Sequence, residues 1–447
     1  MYYENKEEKP RAILAGVYET CGTDRSRGDF DHSMDELREL VKACEMVPVR
    51  SFSQQMDHMS NALYLGSGKL DEIREYIEDC EDDTGTGDCT GKPDLLVLND
   101  TLSPIQLRNL QKELKLRVMD RTALILEIFS DRARSHEARL QVELAKLQYL
   151  KPRLIGLWEK QNRQGGASGA MSSKGEGETQ LELDRREIDH RLSELRKELK
   201  TVQRERQTQR KKRERAGIPL AALVGYTNAG KSTIMNRFVS RFSADGDRKV
   251  FEADMLFATL DTTVRKITLG QGREFLLSDT VGFIEKLPTS LVEAFKSTLE
   301  VALEADLLIQ VVDRSDPHYH DQMTTTVNTL KELGAGHIPM LTVYNKADLC
   351  DPKPEYPSVS YGKDAVVISA VEDPSIDLLG EEILEKLHGD FKKASFLIPF
   401  TDGQAAGALR KSARVLETEY LPEGTLITCM CSEADFNRYS AYLSDQA

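Results

Sequence analysis

One octapeptide limits what this chain can fold into more than any other feature. Gly225-Tyr226-Thr227-Asn228-Ala229-Gly230-Lys231-Ser232 satisfies GxxxxGK[ST], and it lies between the apolar run Leu220 to Val224 and a helical pattern that starts near Lys231. A strand, a glycine-rich turn and a helix in that order let backbone N–H groups close on phosphate oxygens, while the helix N-terminus adds a favourable dipole. In such a loop Lys231 reaches the β and γ phosphates and the Ser232 hydroxyl ligates Mg2+. The expectation is a nucleoside triphosphate held with Mg2+.

The surrounding sequence supplies the sheet that such a loop needs. Residues 217 to about 390 alternate strand and helix patterns, with strands at Leu220 to Val224, Glu274 to Leu277, Leu307 to Val312, Met340 to Tyr344 and Val366 to Ile368. This alternation predicts a mostly parallel sheet covered on both faces. Asp279-Thr280-Val281-Gly282 follows the second strand, which places a carboxylate near the metal and the Gly282 N–H near the γ-phosphate. Asn345-Lys346-Ala347-Asp348 follows the fourth. In an NKxD arrangement the aspartate accepts guanine N1–H and the exocyclic amine, while Asn345 and Lys346 brace the base pocket. Adenine offers no such donor pair and leaves the carboxylate desolvated, at a cost of about 1 to 3 kcal/mol. Ser369, Ala370 and Val371, after the last strand, complete the pocket through backbone contacts.

Between the phosphate loop and Asp279 lies Phe257-Ala258-Thr259-Leu260-Asp261-Thr262-Thr263, where a mobile switch loop is expected. One threonine should ligate Mg2+ only while the γ-phosphate is present. Thr259 is the choice, with Thr263 second and a plain surface threonine as the bland alternative. The metal set is therefore Ser232, Thr259 and Asp279, and the catalytic set Lys231, Thr259 and Gly282. Phe283 follows Gly282, where small GTPases carry the glutamine that orients attacking water. Phenylalanine cannot polarise water, so slow intrinsic hydrolysis and dependence on a partner are expected. Asn228, with the switch backbone, is the candidate holder of K+ in place of an arginine finger.

The flanking segments are organised differently. Residues 11 to 98 read as a small α/β unit, continued by Ser103 as N-cap and Pro104 at the first helical position of Ile105 to Leu114, then a strand at Leu116 to Met119. Glu78 to Pro93 reads as an exposed acidic loop, and Gly66-Ser67-Gly68-Lys69 lacks the spacing of a phosphate loop. Arg121 to Leu150 and about Thr179 to Arg215 read as helices. Leu140, Leu144 and Leu147 on one, and Ile188, Leu192, Leu195, Leu199 and Val202 on the other, step by threes and fours, the spacing of a seam. Joined by a glycine-rich connector with Arg163 and Lys174, they predict a long antiparallel hairpin with a cationic tip. Residues 185 to 215 hold thirteen Lys or Arg against six acidic residues. A polyanion such as RNA and a merely solvated face are both open readings. A short βαβ-like tail closes the chain, with strands near Phe396 to Ile398 and Leu426 to Met430. The domain division is 1–120, 121–216, 217–393 and 394–447.

Composition excludes some classes. With 60 Lys and Arg against 74 acidic residues, the formal charge of -14 opposes a protein coated with cations for wrapping DNA. Seven cysteines show no CxxC pair and no zinc-finger spacing, so reduced thiols in a cytoplasmic protein are expected, with Cys429 and Cys431 packing on one side of a sheet. The start, MYYENKEEKPR, is charged from its fourth residue, and no apolar run approaches the roughly 20 residues of a membrane span. Neither secretion nor membrane insertion is expected, and nothing demands more than a monomer.

The chain resembles the HflX-type GTPases of the Obg-HflX group of translation-associated GTPases. The resemblance rests on GYTNAGKS at 225–232, FATLD at 257–261, DTVGFI at 279–284 and NKAD at 345–348, together with 120–150 and GETQLELDRR at 177–186. It implies an α/β fold: a P-loop GTPase domain preceded by a small α/β domain and the helical hairpin, and followed by a small α/β domain. It also implies binding to the large ribosomal subunit, a role in splitting or rescuing stalled ribosomes or in subunit assembly, and a hairpin tip that reaches rRNA. Thr262 departs from the family's proline, the tip at 165–177 lacks the family's proline and arginine, and the acidic loop is long. Two functions compete: a partner-stimulated GTPase, and a slow guanine-nucleotide binding switch that recruits or blocks partners. A third, an RNA-remodelling ATPase, is opposed by Asp348.

Overall fold

A computed structural model describes residues 9–20, 27–81, 91–164, 183, 185–202, 204, 218–242, 257, 263–269, 273–286, 301–359, 364–388, 392–431 and 433–444. By its contacts the chain forms two units. One comprises Met1–Arg206, Phe251–Asp261 and Val281–Glu300; the other comprises Gln207–Val250, Thr262–Thr280 and Val301–Ala447.

The first unit is built on a four-stranded parallel sheet, β1 (Arg11–Glu19), β2 (Val47–Met56), β3 (Leu95–Leu98) and β4 (Arg117–Asp120), in the order β2-β1-β3-β4. Ile13, Ala15 and Val17 face a core formed with α2 (Ser67–Glu81) and α3 (Pro104–Leu114). Gly16 faces the other side, where a Cβ would lie 2.6 Å from Met34 Sδ on α1 (Arg27–Ala43). A strand covered on both faces reads as a continuous apolar run, as RAILAGVYE does. The edge strand β2 has only Phe52 buried, and its polar sequence VPVRSFSQQM carries no apolar alternation to announce it.

Ser103 caps α3 as expected, in a full capping box with Gln106. The Gly66 to Lys69 stretch opens α2, and Lys69 Nζ bonds Glu72 at 2.6 Å, an ordinary helix-surface pair. The acidic stretch expected to loop from Glu78 is helical as far as Glu81; 82–90 lies outside the described residues. Cys80 is disulfide-bonded, which corrects the expectation of wholly reduced thiols; pairing needs two Cβ atoms about 4 Å apart, a proximity that cysteine spacing does not encode. Among the described residues Cys44, Cys350, Cys429 and Cys431 are free thiols.

The helix read over Arg121 to Leu150 is two helices, α4 (Arg121–Arg132) and α5 (His136–Gln164), separated at Ala133, whose backbone is extended. Asp120 is fully buried at that start. It caps Ala123 N at 2.8 Å and also accepts from Leu102 N, Tyr149 Oη and Arg153. Buried Arg121 bonds the Ser33 carbonyl, Asn99 Oδ1 and Glu36, so the DR pair ties β4, α1 and α5 together. Helix α6 (185–202) packs Leu192 and Leu195 against Leu140 and Leu144 of α5, flanked by Leu147, Ile188 and Leu199. Arg191 bonds Glu143 through both Nε and Nη2, at 2.7 and 2.9 Å, and farther along α5 Lys151 pairs with Asp189. The pairings run in opposite directions, as in an antiparallel hairpin. The tip and the basic run beyond Arg204 lie outside the described residues.

The second unit holds a seven-stranded sheet in the order β10-β11-β9-β8-β5-β7-β6. The strands are β5 (Leu220–Gly225), β6 (Thr263–Leu269), β7 (Arg273–Asp279), β8 (Leu307–Asp313), β9 (Met340–Asn345), β10 (Ser358–Val359) and β11 (Ala365–Val367). The five inner strands are parallel; the two edges, β6 and β10, are antiparallel additions not evident from the sequence. Helices α7 (Lys231–Phe242), α8 (Tyr319–Leu333) and α9 (Asp373–His388) accompany it, and α7 and α9 share its core through Phe238 and Ile376.

The tail is not βαβ-like. β12 (Lys392–Ile398), β13 (Arg414–Leu421) and β14 (Gly424–Cys431) form a wholly antiparallel sheet in the order β12-β14-β13, with α10 (Gly403–Ser412) and α11 (Glu433–Arg438). Glutamate-rich β13 has the exposed face of an edge strand and escapes periodicity analysis. Cys429 and Cys431 are both buried in its core, and burial beside Cys431 pushes the Cys429 thiol up to about 12. Among the described residues, no helix is long and apolar enough to cross a membrane.

Candidate functional site

In an open parallel sheet, ligands bind beyond the carboxyl ends of the strands where strand order reverses. Here β5 lies between β8 and β7, and the expected motifs leave the carboxyl ends of β5, β7, β9 and β11.

The phosphate loop turns where only glycine fits. Gly225 has φ 142°, and a Cβ there would lie 2.2 Å from the Val311 carbonyl oxygen; Gly230 has φ 96°, and a Cβ would lie 2.2 Å from Asn345 Nδ2. Asn228 takes a left-handed conformation, φ 58°, which asparagine tolerates better than most residues. Thr227 and Ala229 are buried beside it. Lys231 opens α7 and folds back, its Nζ donating to the carbonyls of Gly225 at 3.1 Å and Tyr226 at 2.6 Å. Burial lowers its ammonium to about 8, against the opposing field of Asp279. An anionic ligand at the loop would reverse that penalty.

One residue along α7, Ser232 Oγ donates to Asp279 Oδ2 at 2.7 Å. Asp279 is fully buried at the end of β7, paired with Leu223 on one side and Thr263 on the other. Thr280 follows, its hydroxyl bonded to the Leu223 carbonyl at 2.6 Å. A hydroxyl and a carboxylate converging at a helix N-terminus form the oxygen-donor set that suits Mg2+, a hard cation.

At the other end, Asn345 Nδ2 donates to the Ala229 carbonyl, and Asn345 Oδ1 accepts from Ala370 N, both at 2.9 Å. Ser369 Oγ donates to Asp348 Oδ1 at 2.7 Å, and Ser369 N donates to Ser375 Oγ at 3.1 Å. Ala347 N donates to the Ile368 carbonyl, closing the 345–348 turn on the 368–371 turn. Lys346, at φ 60°, sends Nζ to Asp313 Oδ2 at 2.7 Å. Val371 is exposed, while its carbonyl accepts from Arg237 at 2.6 Å. Asp313, Ser375 and Arg237 were not singled out from sequence; Asp313 alone had a signal, a carboxylate ending the strand beside the NKAD strand.

The switch residues are distributed otherwise. Ala258, Thr259, Leu260 and Asp261 lie outside the described residues. Phe257 is described, buried at φ 56°. Thr263 opens β6 with its hydroxyl buried and without a hydrogen-bond partner among the described residues. Val281 and Gly282 belong with the first unit, as does Phe283, which is buried and only 3% exposed. A buried phenyl ring there orients no water.

Comparison with known proteins accounts for the whole arrangement. Residues 31–130 match the family described as GTP-binding GTPase N-terminal, 132–213 the GTP-binding GTPase Middle Region, and 220–346 a 50S ribosome-binding GTPase. The GTPase HflX of Caldanaerobacter subterraneus subsp. tengcongensis is 38% identical over 96% of this chain and 94% of its own. That of Akkermansia muciniphila is 40% identical over 99% of each. Among solved structures, a GTP-binding protein from the archaeon Sulfolobus solfataricus in complex with GDP is 22% identical, over 84% of this chain and 98% of its own, at a TM-score of 0.42. A phosphate loop on the central strand, an aspartate bonded to its serine, an NKAD turn tied back to the same loop, and this identity along nearly the full length have one meaning: the chain belongs to the HflX family of GTPases.

Proposed function

We propose that this GTPase binds the large ribosomal subunit and uses its nucleotide cycle to split or rescue stalled ribosomes or to aid subunit assembly, in the cytoplasm and as a monomer. The observation that carries the nucleotide half of this reading is the tie from Asn345 to Ala229, which sets the base pocket and the phosphate loop in one frame. The ribosomal half is supported by the match of 220–346 to a 50S ribosome-binding GTPase and by the leucine seam between α5 and α6, which stiffens a hairpin carrying a cationic segment.

In this reading the chain works as four parts, 1–120, 121–216, 217–393 and 394–447. The backbone of 225–232 cradles the phosphates and Lys231 neutralises their charge. Ser232, Asp279 and Thr259 hold Mg2+, which supplies charge neutralisation when bound. The Gly282 N–H meets the γ-phosphate. Asp348, set by Ser369, accepts from guanine, and Ala370 and Val371 border the base through their backbone. Asn228 supports K+ near the transferred phosphate.

The test is steady-state GTP hydrolysis with and without purified large ribosomal subunits, in potassium and in sodium buffer. Strong stimulation by subunits is expected, because Phe283 leaves water activation to the complex. Tight nucleotide binding without stimulation would replace this reading with the slow binding switch. Equal turnover in the two salts would remove K+.

A further inference from the structure

Lys346 sends its side chain away from the NKAD turn to which it belongs. Strand β8 lies between β9, which carries that turn, and β5, which carries the phosphate loop. Its last residue, Asp313, sits on the rung of Asn345, and Arg314 N donates to the Asn345 carbonyl at 2.9 Å. Lys346 then takes a left-handed conformation, φ 60° and ψ 33°, where the chain turns into Ala347–Leu349. Its Nζ ends 2.7 Å from Asp313 Oδ2, with the lysine side chain 24% exposed and the aspartate 16%.

Both partners are held from other directions as well. Asp313 Oδ1 accepts from Ser315 N at 3.0 Å and Ser315 Oγ at 2.6 Å, which fixes the carboxylate and leaves Oδ2 to the ammonium. Arg314 lies over the Tyr319 ring, its guanidinium carbon 4.5 Å from the centroid, and Tyr319 meets Tyr344 of β9 edge-on at 6.2 Å. The loop after β8 is thereby braced against the strand that carries the NKAD turn. On the lysine's side, the Lys346 carbonyl accepts from Leu349 N at 3.0 Å. Left-handed backbone at a lysine persists where surrounding contacts over-determine it. The four-carbon stem is stretched between two fixed points, from the carboxyl end of β9 to that of β8.

We propose that Asp313 is a positioning residue for guanine-nucleotide binding: by holding Nζ it sets the apolar stem of Lys346 as a wall against one face of the base. This rests on the base-pocket reading above and adds the residue that fixes the lysine. A lysine stem covers apolar surface while its ammonium stays with a polar partner. A stem already held in place loses less freedom on binding than a mobile one, so the contact it makes is stronger. Such a gain is read in residence time, because related complexes differ mostly in dissociation rate. The wall meets the ring face, which guanine and hypoxanthine share, whereas Asp348 reads the edge, where they differ by the exocyclic amine. Asp313 thus sets how long a purine stays, and Asp348 sets which purine.

The experiment uses the full chain. Association and dissociation rates of GDP, inosine diphosphate and ADP are measured by stopped flow for wild type, Asp313→Asn, Lys346→Met and the double variant. Asp313→Asn keeps an oxygen for Ser315 and puts an amide donor where Oδ2 held the ammonium; unfolding temperature without nucleotide checks that the fold is retained. The expected result in Asp313→Asn is GDP dissociation faster by about fivefold or more, the same factor for inosine diphosphate, and association within about twofold. Lys346→Met keeps a stem and removes its anchor, so it shows the same acceleration and stands as the second reporter if Asp313→Asn lowers stability. Added to Lys346→Met, Asp313→Asn changes the rate by less than about twofold, as two residues acting through one contact must. Additive losses, a loss confined to GDP, or unaltered or slower dissociation overturns the proposal; slower dissociation would mean that the bond holds the lysine off the base. If wild type binds GDP no more tightly than ADP, the base-pocket reading fails and the inference falls with it. A guanine preference in wild type with unaltered rates in both single variants overturns the inference alone.

Discussion

Asn345 donates to the carbonyl of Ala229 across 116 residues of sequence, and its other amide atom accepts from Ala370 N. Both polar ends of one buried side chain are used to join three loops. Asn345→Ala leaves a buried carbonyl and a buried N–H unpaired, each worth about 1 to 3 kcal/mol. GTP and GDP affinity should fall together by about tenfold to a hundredfold. Titration with a fluorescent GDP checks this; a loss confined to GTP would show that the tie serves the γ-phosphate alone.

Asp348 accepts from Ser369 Oγ, and in the proposed reading its remaining acceptor capacity meets the guanine base. Asp348→Asn replaces that acceptor pair with an amide that matches xanthine. GTP affinity should drop by about tenfold to a hundredfold and xanthosine triphosphate affinity should rise. Competition binding with the two nucleotides decides it, and unchanged preference would remove Asp348 from the base pocket.

Lys231 gives a pH signature. Its ammonium is depressed from 10.5 to about 8 by burial, so near pH 8 a sizeable fraction is neutral. Phosphates favour the charged form and raise that value on binding. Binding therefore takes up protons around pH 8, and affinity falls as pH rises from about 8 toward 10, while below about pH 7 it is flat in this group. Calorimetry at pH 8 in buffers of different ionisation enthalpy should register an uptake of about half a proton. Zero uptake would mean that Lys231 is fully charged beforehand.

Arg121 and Glu36 form a buried pair in the N-terminal unit, their side chains only 1% and 5% exposed. Arg121→Met strands the carboxylate and should destabilise by about 3 to 5 kcal/mol, whereas adding Glu36→Gln should recover part of that loss. Urea unfolding of both variants separates an ion-pair effect from a packing effect: equal midpoints would mean that lost contacts, not the stranded charge, dominate.

The motifs of the candidate nucleotide site were legible because each is local: GYTNAGKS, DTVG and NKAD each sit in one stretch at the end of one apolar strand. The fold was legible wherever both faces of a strand are buried, as in β1, β5 and β8. It was illegible at the edges. β2, β6, β10 and β13 mix polar and apolar residues because one side meets water, so neither a continuous apolar run nor a clean alternation marks them, and β2 alone also pairs with a strand well separated in sequence. The break between α4 and α5 escaped because Ser135 and its neighbours carry no proline or glycine; Ser135 Oγ caps Ala138 N at 3.1 Å. The bond from Lys286 Nζ to Asp100 Oδ1, 2.6 Å long across 186 residues of sequence, could not be foreseen, since nothing local to either residue specifies the other.

The register of β7 has a consequence for how such chains change in length. Asp279 lies opposite Leu223 of β5 and Thr263 of β6, and its carboxylate meets Ser232 only from that rung. Because strand side chains alternate, a single inserted or deleted codon between Arg273 and Asp279 would turn the carboxylate to the opposite face of the sheet. Gains and losses of residues are then compatible with a working site only outside the ladder, in connections such as the stretch after Glu81. Spacing within β7 is a heritable constant, and spacing in those connections is free to drift.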